Sequence, residues 1–244
     1  MTVLRVGIQL WSAKVPPHQR GAAYHFGRFS SDSFDALIYA GVFVFMVIRP
    51  FCIQTFTIPS GSMENTLLIG DYIMANKAIY RYSEPQVGDI VVFKPPPYAP
   101  NPGTPPDVDF IKRLIGRPGD LIEIKSGILY RNGVSQKEPY QNGDMEYDFK
   151  IVTHKGEQWP VQYRGDVAND ISMTNRRFEV SDFDEMKQLV EAPAERIPAG
   201  MYLMMGDHRS NSSDGRYWGL IKRENIIGRS EFIWLPLPRW RVTR

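Results

Sequence analysis

The sequence has little cysteine, few histidines and almost no net charge, and each shortage closes off a class of function. A single cysteine, Cys52, excludes an intramolecular disulfide, and its place in an apolar run makes it a small hydrophobe. The four histidines, His18, His25, His154 and His208, are dispersed without ligand spacing, so no metal or other cofactor is expected. Lysine and arginine number 29 against 27 acids, a net charge of +2, and they are scattered, which leaves no footprint for nucleic acid. Acids are missing altogether from residues 1–31, which carry Arg5, Lys14, Arg20 and Arg28. At 244 residues the chain can hold one large domain or two small ones, each with an ordinary core.

Charge of either sign is also absent from Ala36 to Ile48, ALIYAGVFVFMVI. Thirteen residues are short for a membrane span, which needs about 20, and a buried core helix competes. Counting through Ile53, with the Arg49 head group snorkelling to the interface, gives a workable length. The basic, acid-free flank favours a span with its N-terminal side in the cytoplasm and everything after Ile53 across the membrane. A cleaved signal peptide would carry its apolar stretch close to the N-terminus and a small-residue cleavage site after it. Here more than thirty residues precede the run and Arg49-Pro50-Phe51 follows it, so an uncleaved anchor is expected.

Beyond the anchor the pattern is mainly that of strands. Asp71–Asn76 alternates, and Ile90–Phe93 is continuously apolar, as in a strand buried on both faces. Seven prolines between Pro95 and Pro106 make a stiff loop without strands. Asp109–Ile115 puts Phe110, Lys112 and Leu114 on one face and Asp109, Ile111, Arg113 and Ile115 on the other. Leu121–Ile124 and Ile128–Arg131 read as a hairpin, followed by a turn at Asn132-Gly133. A helix is expected at Ser181–Glu191, with Ser181 and Asp184 forming a capping box. Met201–Met205 and Ile226–Trp234 supply the last strands, and the basic end of the chain, with Trp240, reads as a frayed terminus.

Three stretches carry candidate chemistry. In FTIPSGSMENTLLIGDYIMANK, Phe56 to Lys77, two serines flank Gly61 after a proline. A serine in such a turn can offer its hydroxyl and backbone N–H to a bound carbonyl. By chemistry alone Ser60 and Ser62 compete as nucleophile. DFIKRLIGRPGD, Asp109 to Asp120, sets Lys112 between Phe110 and Leu114. Apolar surroundings lower a lysine's pKa and allow it to act as a base. GDHRSNSSDGRYWG, Gly206 to Gly219, is dense in small polar and paired charged residues.

These blocks, with GDIVVF at Gly88–Phe93, resemble the type I signal peptidases in their order and joint presence, from about Arg49 to Arg229 with a gap in the middle where the resemblance fades. That family consists of bacterial, membrane-bound Ser/Lys endopeptidases that remove signal peptides from exported preproteins. The resemblance implies a mainly β fold: one N-terminal transmembrane helix, an antiparallel β catalytic domain and a smaller inserted β-rich subdomain. The divisions expected are a cytoplasmic tail at 1–34, the anchor at 35–55, the catalytic core at 56–131 and 197–244, and the insertion at 132–196. It implies Ser62 as nucleophile and Lys112 as base, with the Ser62 N–H and the Ser60 hydroxyl facing the oxyanion and Ser212 bonding the lysine amine. Structural ion pairs are implied among Arg113, Asp207, Arg209, Asp214 and Arg216, with Arg113–Asp207 and Asp214–Arg216 as partners. The substrate would lie extended beside Phe56–Ser60 and Asp109–Lys112 and present small residues at positions −1 and −3. Its contacts are expected from Phe56, Ile58, Pro59, Met63, Leu67, Asp109, Phe110 and Ile111. A monomer in the bacterial cytoplasmic membrane is implied, with preprotein signal peptides and the lipid bilayer as partners. Departures from the family pattern are Asn65, where proline is common, and Ser210 and Gly215, which replace larger residues.

Three other readings compete with this one. A triad through His208 would need Asp207 to orient it, and adjacent residues of extended chain point apart. A self-cleaving repressor-type Ser/Lys protease would want a DNA-binding domain and no anchor. A membrane-tethered module that binds without cutting would have lost its reactive residues, yet Ser62, Lys112 and Ser212 are all present.

Overall fold

The computed structural model describes residues 2–14, 16, 20–97, 99, 108–164, 172–173 and 182–243. Ser181 and much of the proline-rich segment Pro95–Pro106 lie outside the described residues. The chain divides into two compact units, Met1–Ile53 and Gln54–Arg244.

Apart from Pro16, Arg20, Gly21, Cys52 and Ile53, the described residues of the first unit are helical. Helix α1 (Thr2–Lys14) is followed by α2 (Ala22–Phe43), which runs on through a wider turn at Val44–Ile48 into a short α3 (Arg49–Phe51). The stretch expected as a cytoplasmic tail, 1–34, carries α1 and the first part of α2. Pro16-Pro17, Gly21 and several serines in this stretch read as loop and hide the helices from the sequence. At Gly27 the Trp11 ring packs 3.3 Å from the point a Cβ would take. From Tyr24 to Ile48 the helix is 25 residues, about 37 Å at 1.5 Å per residue, against a hydrocarbon core of about 30 Å. Leu37, Tyr39, Phe43 and Met46 stand exposed along it. A core helix of a water-soluble protein would bury them.

The second unit is built from two antiparallel sheets. Its strands are β1 (Ile53–Thr57), β2 (Tyr72–Asn76), β3 (Ile90–Phe93), β4 (Phe110–Gly116), β5 (Ile122–Lys125), β6 (Ile128–Arg131) and β7 (Val134–Ser135). They continue with β8 (Asp148–His154), β9 (Glu157–Arg164), β10 (Ser172–Met173), β11 (Met201–Met205), β12 (Ile221–Lys222), β13 (Ile226–Leu235) and β14 (Arg241–Val242). The larger sheet runs β1-β2-β13-β3-β4-β11-β12, with β14 beside β13, and the smaller runs β10-β9-β8-β5-β6-β7. The sheet that carries most of residues 132–196 thus also takes in β5 and β6. The turn at Asn132-Gly133 joins β6 to β7 with φ of 54° and 80°, the left-handed pair that a two-residue hairpin requires.

Strand β3 lies between β13 and β4, and all four of its side chains are buried. Val91 and Phe93 face one apolar cluster with Leu114 and Trp218, while Ile90 and Val92 face another with Ile58, Met63 and Leu67. Strand β4 pairs with β3 on one edge, Val91 opposite Lys112. On its other edge the pairing with β11 ends at Met205 opposite Arg113. The chain leaving β11 therefore peels away beside Lys112, and the edge from Lys112 back to Phe110 has no partner strand among the described residues.

The C-terminal end is tied down rather than frayed, which corrects the sequence expectation. Strand β14 pairs with β13, Arg239 grips the buried Asp71 at 2.7 and 2.8 Å, and Arg241 donates to the Asn65 and Thr66 carbonyls. Two arginines one residue apart in a short basic segment look solvated until their distant partners are known.

Helix α4 (Phe183–Glu191) lies on the smaller sheet, burying Leu189 and Val190 with Val152, Trp159 and Val161. Asp182 caps its start, accepting from Asp184 N. Its end is capped from across the sheet: the buried Lys150 ammonium donates to the Val190 carbonyl at 2.5 Å and to that of Ala192. A cation on the last carbonyls of a helix is favourably placed, although burial pushes the lysine's pKa down. Lys150→Met keeps the apolar stem and orphans both carbonyls. It is expected to lower unfolding free energy by about 1–3 kcal/mol in a urea titration, with faster hydrogen exchange confined to α4 and its neighbours.

Candidate active site

Ser62 sits in a single 3₁₀ turn, Gly61–Met63, entered from the extended Ser60. Lys112 reaches it from the middle of β4, with Nζ 2.6 Å from Ser62 Oγ. The amine also donates to the Ile111 carbonyl at 3.2 Å, and Ser60 Oγ lies 3.4 Å from Ser62 Oγ. Lys112 is 5 % exposed. Loss of hydration disfavours its ammonium form and pushes the pKa down to about 8, against the opposing pull of Asp214 and Asp207. A serine hydroxyl beside an amine whose charged form is disfavoured is an arrangement able to supply a nucleophile and a base.

The turn is held from the side by the segment that leaves β11. His208 N donates to the Ser62 carbonyl at 3.1 Å. Gly206 is required by close approach: a Cβ there would run into Ser212 Oγ and lie 2.5 Å from the Ser62 carbonyl oxygen. Ser212 is buried in this corner, and its hydroxyl has no hydrogen-bond partner among the described residues. The hydrogen bonds of Lys112 Nζ run to Ser62 and Ile111, and Ser212 is not among their acceptors.

The charged side chains of the third block are paired and dry. Arg113 binds Asp207 through Nε at 2.8 Å and Nη2 at 2.6 Å, and Thr66 Oγ1 donates to the same carboxylate at 2.5 Å. Arg216 binds Asp214 at 2.7 and 2.6 Å with both side chains fully buried. Burial would raise the pKa of Asp214, but the Arg216 guanidinium and the Gly206 N–H hold it below the usual carboxylate range. Arg209 turns elsewhere, to Glu138 at 2.8 and 2.6 Å. With Asp207 filled by Arg113 and Thr66, it does not orient His208, whose Nδ1 lies 3.0 Å from Glu64 Oε2.

A cleft of about 550 Å³ opens over Ser62 and Lys112. Of the expected contact residues, Ile58, Pro59, Met63, Asp109, Phe110 and Ile111 line it. Leu67 does not, being fully buried in the apolar cluster beneath, and Phe56 packs against that same cluster. Asn211 and Tyr217 also line the cleft, and the sequence reading missed them. It missed Glu138 and Thr66 too, together with Tyr140, which stacks 3.8 Å from the Arg113 guanidinium, and Tyr147, which accepts a bond from Arg216. No local pattern marks these residues, because each is defined by a partner far along the chain. Asn65 takes φ of 74°, a left-handed conformation that asparagine tolerates and proline cannot adopt.

A family described as signal peptidase, peptidase S26, matches residues 31–235. Signal peptidase I of Aquifex aeolicus is 36% identical over 207 residues, covering 78% of this chain and 78% of that protein. Signal peptidase I of Pseudomonas fluorescens is 33% identical over 232 residues, 83% of this chain and 72% of the other. A crystal structure of a signal peptidase I from Enterococcus faecalis is 25% identical, covers 60% of this chain and 97% of its own, and superposes with a TM-score of 0.34. The weight therefore rests on the sequence relatives.

The buried pairs yield a stability prediction. Asp207→Ala would strand the Arg113 guanidinium without its counter-charge, and chemical denaturation should show a loss of about 3–5 kcal/mol. Glu224→Ala, at a largely exposed pair with Lys222, should change stability by less than about 1 kcal/mol. Comparable losses in the two variants would mean that Arg113 finds other compensation.

Proposed function

This chain belongs to the signal peptidase family, peptidase S26, and from that premise we propose that it cleaves signal peptides from exported preproteins with a Ser62/Lys112 dyad. The observation that carries the reading is the 2.6 Å contact between Ser62 Oγ and a buried Lys112 Nζ. On binding, the scissile carbonyl lies against Ser62 Oγ. The oxygen attacks the carbonyl carbon while its proton passes to neutral Lys112, and the oxyanion forms beside the Ser62 N–H and the Ser60 hydroxyl. Lys112 then gives that proton to the departing amine as the peptide bond breaks, leaving an ester on Ser62. Water adds to the ester with Lys112 again as base, and the signal peptide leaves with a free carboxylate.

The substrate adds a strand to the open edge of β4 between Phe110 and Lys112. Ile58, Met63 and Ile111, apolar and close against the chain, leave room for small side chains at positions −1 and −3. Asp214 acts at a distance: with Arg216 and Ser212 it fixes the wall of the site behind the lysine.

The family and the long apolar helix together make this a membrane-anchored protein. In our reading the anchor crosses a bacterial cytoplasmic membrane with the basic N-terminal side inside, and the catalytic unit works on the outer side as a monomer. Exposed Ile69, Leu237, Trp240 and Val242 suit contact with the membrane interface.

The test is cleavage of a preprotein in detergent, with alanine at −1 and −3. Wild type should cut at that bond, and Lys112→Ala should lose at least about a thousandfold in kcat/KM while folding normally. Because the base must be neutral, kcat/KM should rise with pH through about 8. Below that value Nζ already holds a proton and cannot take one from Ser62. A Lys112→Ala enzyme that keeps most of its rate, or a flat profile across this range, would overturn the dyad.

A further inference from the structure

We propose that Glu64 and His208 form a latch that positions the turn carrying Ser62, acting on catalysis through the geometry of that turn; this inference rests on the Ser62/Lys112 reading. The turn is weakly built in itself. Within Gly61–Glu64 the backbone closes with one hydrogen bond, Glu64 N to the Gly61 carbonyl at 3.0 Å. Such a short 3₁₀ segment has poor internal geometry and needs outside support.

The support comes from His208 in two ways. Its backbone N–H holds the Ser62 carbonyl at 3.1 Å, and its ring N–H donates from Nδ1 to Glu64 Oε2 at 3.0 Å. Glu64 lies two residues after the reactive serine, and its carboxylate folds back across the turn. A Cβ on Gly61 would lie 3.3 Å from Glu64 Oε2 and 3.8 Å from Asn211 Nδ2. A glutamate at that place could extend into water, and 43% of its side-chain surface is exposed, yet it takes the folded-back position against His208.

The anchor of the latch is rigid. His208 lies between Asp207, held by Arg113 and Thr66, and Arg209, held by Glu138. The Asn142 N–H donates to the Asp207 carbonyl at 2.8 Å, and Arg209 N donates to the Asn142 carbonyl at 2.7 Å. The pair therefore transmits the stiffness of the buried ion pairs to a turn that lacks it. Displacement of a reacting atom by about 1 Å can cost about a hundredfold in rate, so a partial loosening should show in kcat. The charges that act on Lys112 are those of Asp214, Arg216 and Asp207. Loss of the latch should leave the basicity of the lysine unaltered.

The experiment is steady-state cleavage of the same preprotein by Glu64→Ala, His208→Ala, the double variant and His208→Asn, with Lys112→Ala alongside. Expected are a roughly tenfold fall in kcat for each single alanine variant, little change in KM, and no further fall in the double variant. His208→Asn retains a side-chain N–H for Glu64 and should keep most of the rate. The midpoint of the rise of kcat/KM with pH should stay where wild type has it. Wild-type kcat in Glu64→Ala, losses that multiply in the double variant, or a displaced midpoint would each overturn the latch. If Lys112→Ala remains active, the dyad itself fails. If Lys112→Ala is dead and Glu64→Ala is unaffected, the dyad stands and only the latch is lost.

Discussion

A serine and a lysine in contact are chemically useful only while the nitrogen is kept out of water. The Ser62–Lys112 distance of 2.6 Å is ordinary for a hydrogen bond. What is unusual is a lysine 5 % exposed with no carboxylate hydrogen-bonded to its amine among the described residues. Strand β4 makes this possible. It lies next to β3, buried along its whole length, and Lys112 stands opposite Val91 with Phe110 and Leu114 on either side. The large apolar clusters on both faces of the sheet serve stability in the usual way. At this one position they also disfavour the charged form of a lysine that touches a serine. An exposed lysine at the same place would be fully charged at neutral pH.

That requirement explains the arrangement of the charges nearby. Arg113, Asp207, Arg209, Glu138, Arg216 and Asp214 form three buried pairs. Any one of these charges alone beside Lys112 would move its pKa: a carboxylate upward, a guanidinium further down. Paired, they act as compact dipoles whose fields partly cancel, as the opposing influences of Asp214 and Arg216 on the lysine illustrate. Buried pairs seldom stabilise a fold more than apolar residues of similar size would. Their value here is directional. Each bidentate contact fixes two segments at a set distance and angle, and these segments carry Ser62, Lys112 and Ser212.

The parts of this design that were legible in the sequence are those that depend on neighbours in the chain. The continuous apolar run of β3, the alternation of β4, the Asn132-Gly133 turn and the small-residue turn around Ser62 are local patterns with local causes. The helices before residue 35 were missed because Pro16-Pro17, Gly21 and scattered serines give that stretch the look of a loop. Glu138, Tyr140 and Tyr147 were illegible for a different reason. They lie in a polar, loop-rich stretch and acquire meaning from Arg209, Arg113 and Arg216, the nearest of which is 27 positions away in Arg113. The C-terminal arginines read as solvated charges for the same reason, as their acceptors are at Asn65, Thr66 and Asp71.

Those arginines complete the account of how the reactive turn is held. The chain from Glu64 to Asp71 joins the Ser62 turn to β2 without being a strand, and its backbone polar groups need partners from elsewhere. Some are internal: Leu67 N reaches the Met63 carbonyl, and Leu68 N the Asp71 carboxylate. Ile58 ties the far end, donating to the Asp71 carbonyl and accepting from Gly70 N. The Asn65 and Thr66 carbonyls are turned outward by the left-handed Asn65, and Arg241 takes both, at 3.2 and 2.6 Å. Thr66 then uses its hydroxyl to reach Asp207. One loop is thereby fixed to β14 through its carbonyls and to the buried ion pair through its side chain. A reactive group on such a loop can be as well placed as one on a strand, because long side chains from rigid elements supply the bonds that a partner strand would otherwise give.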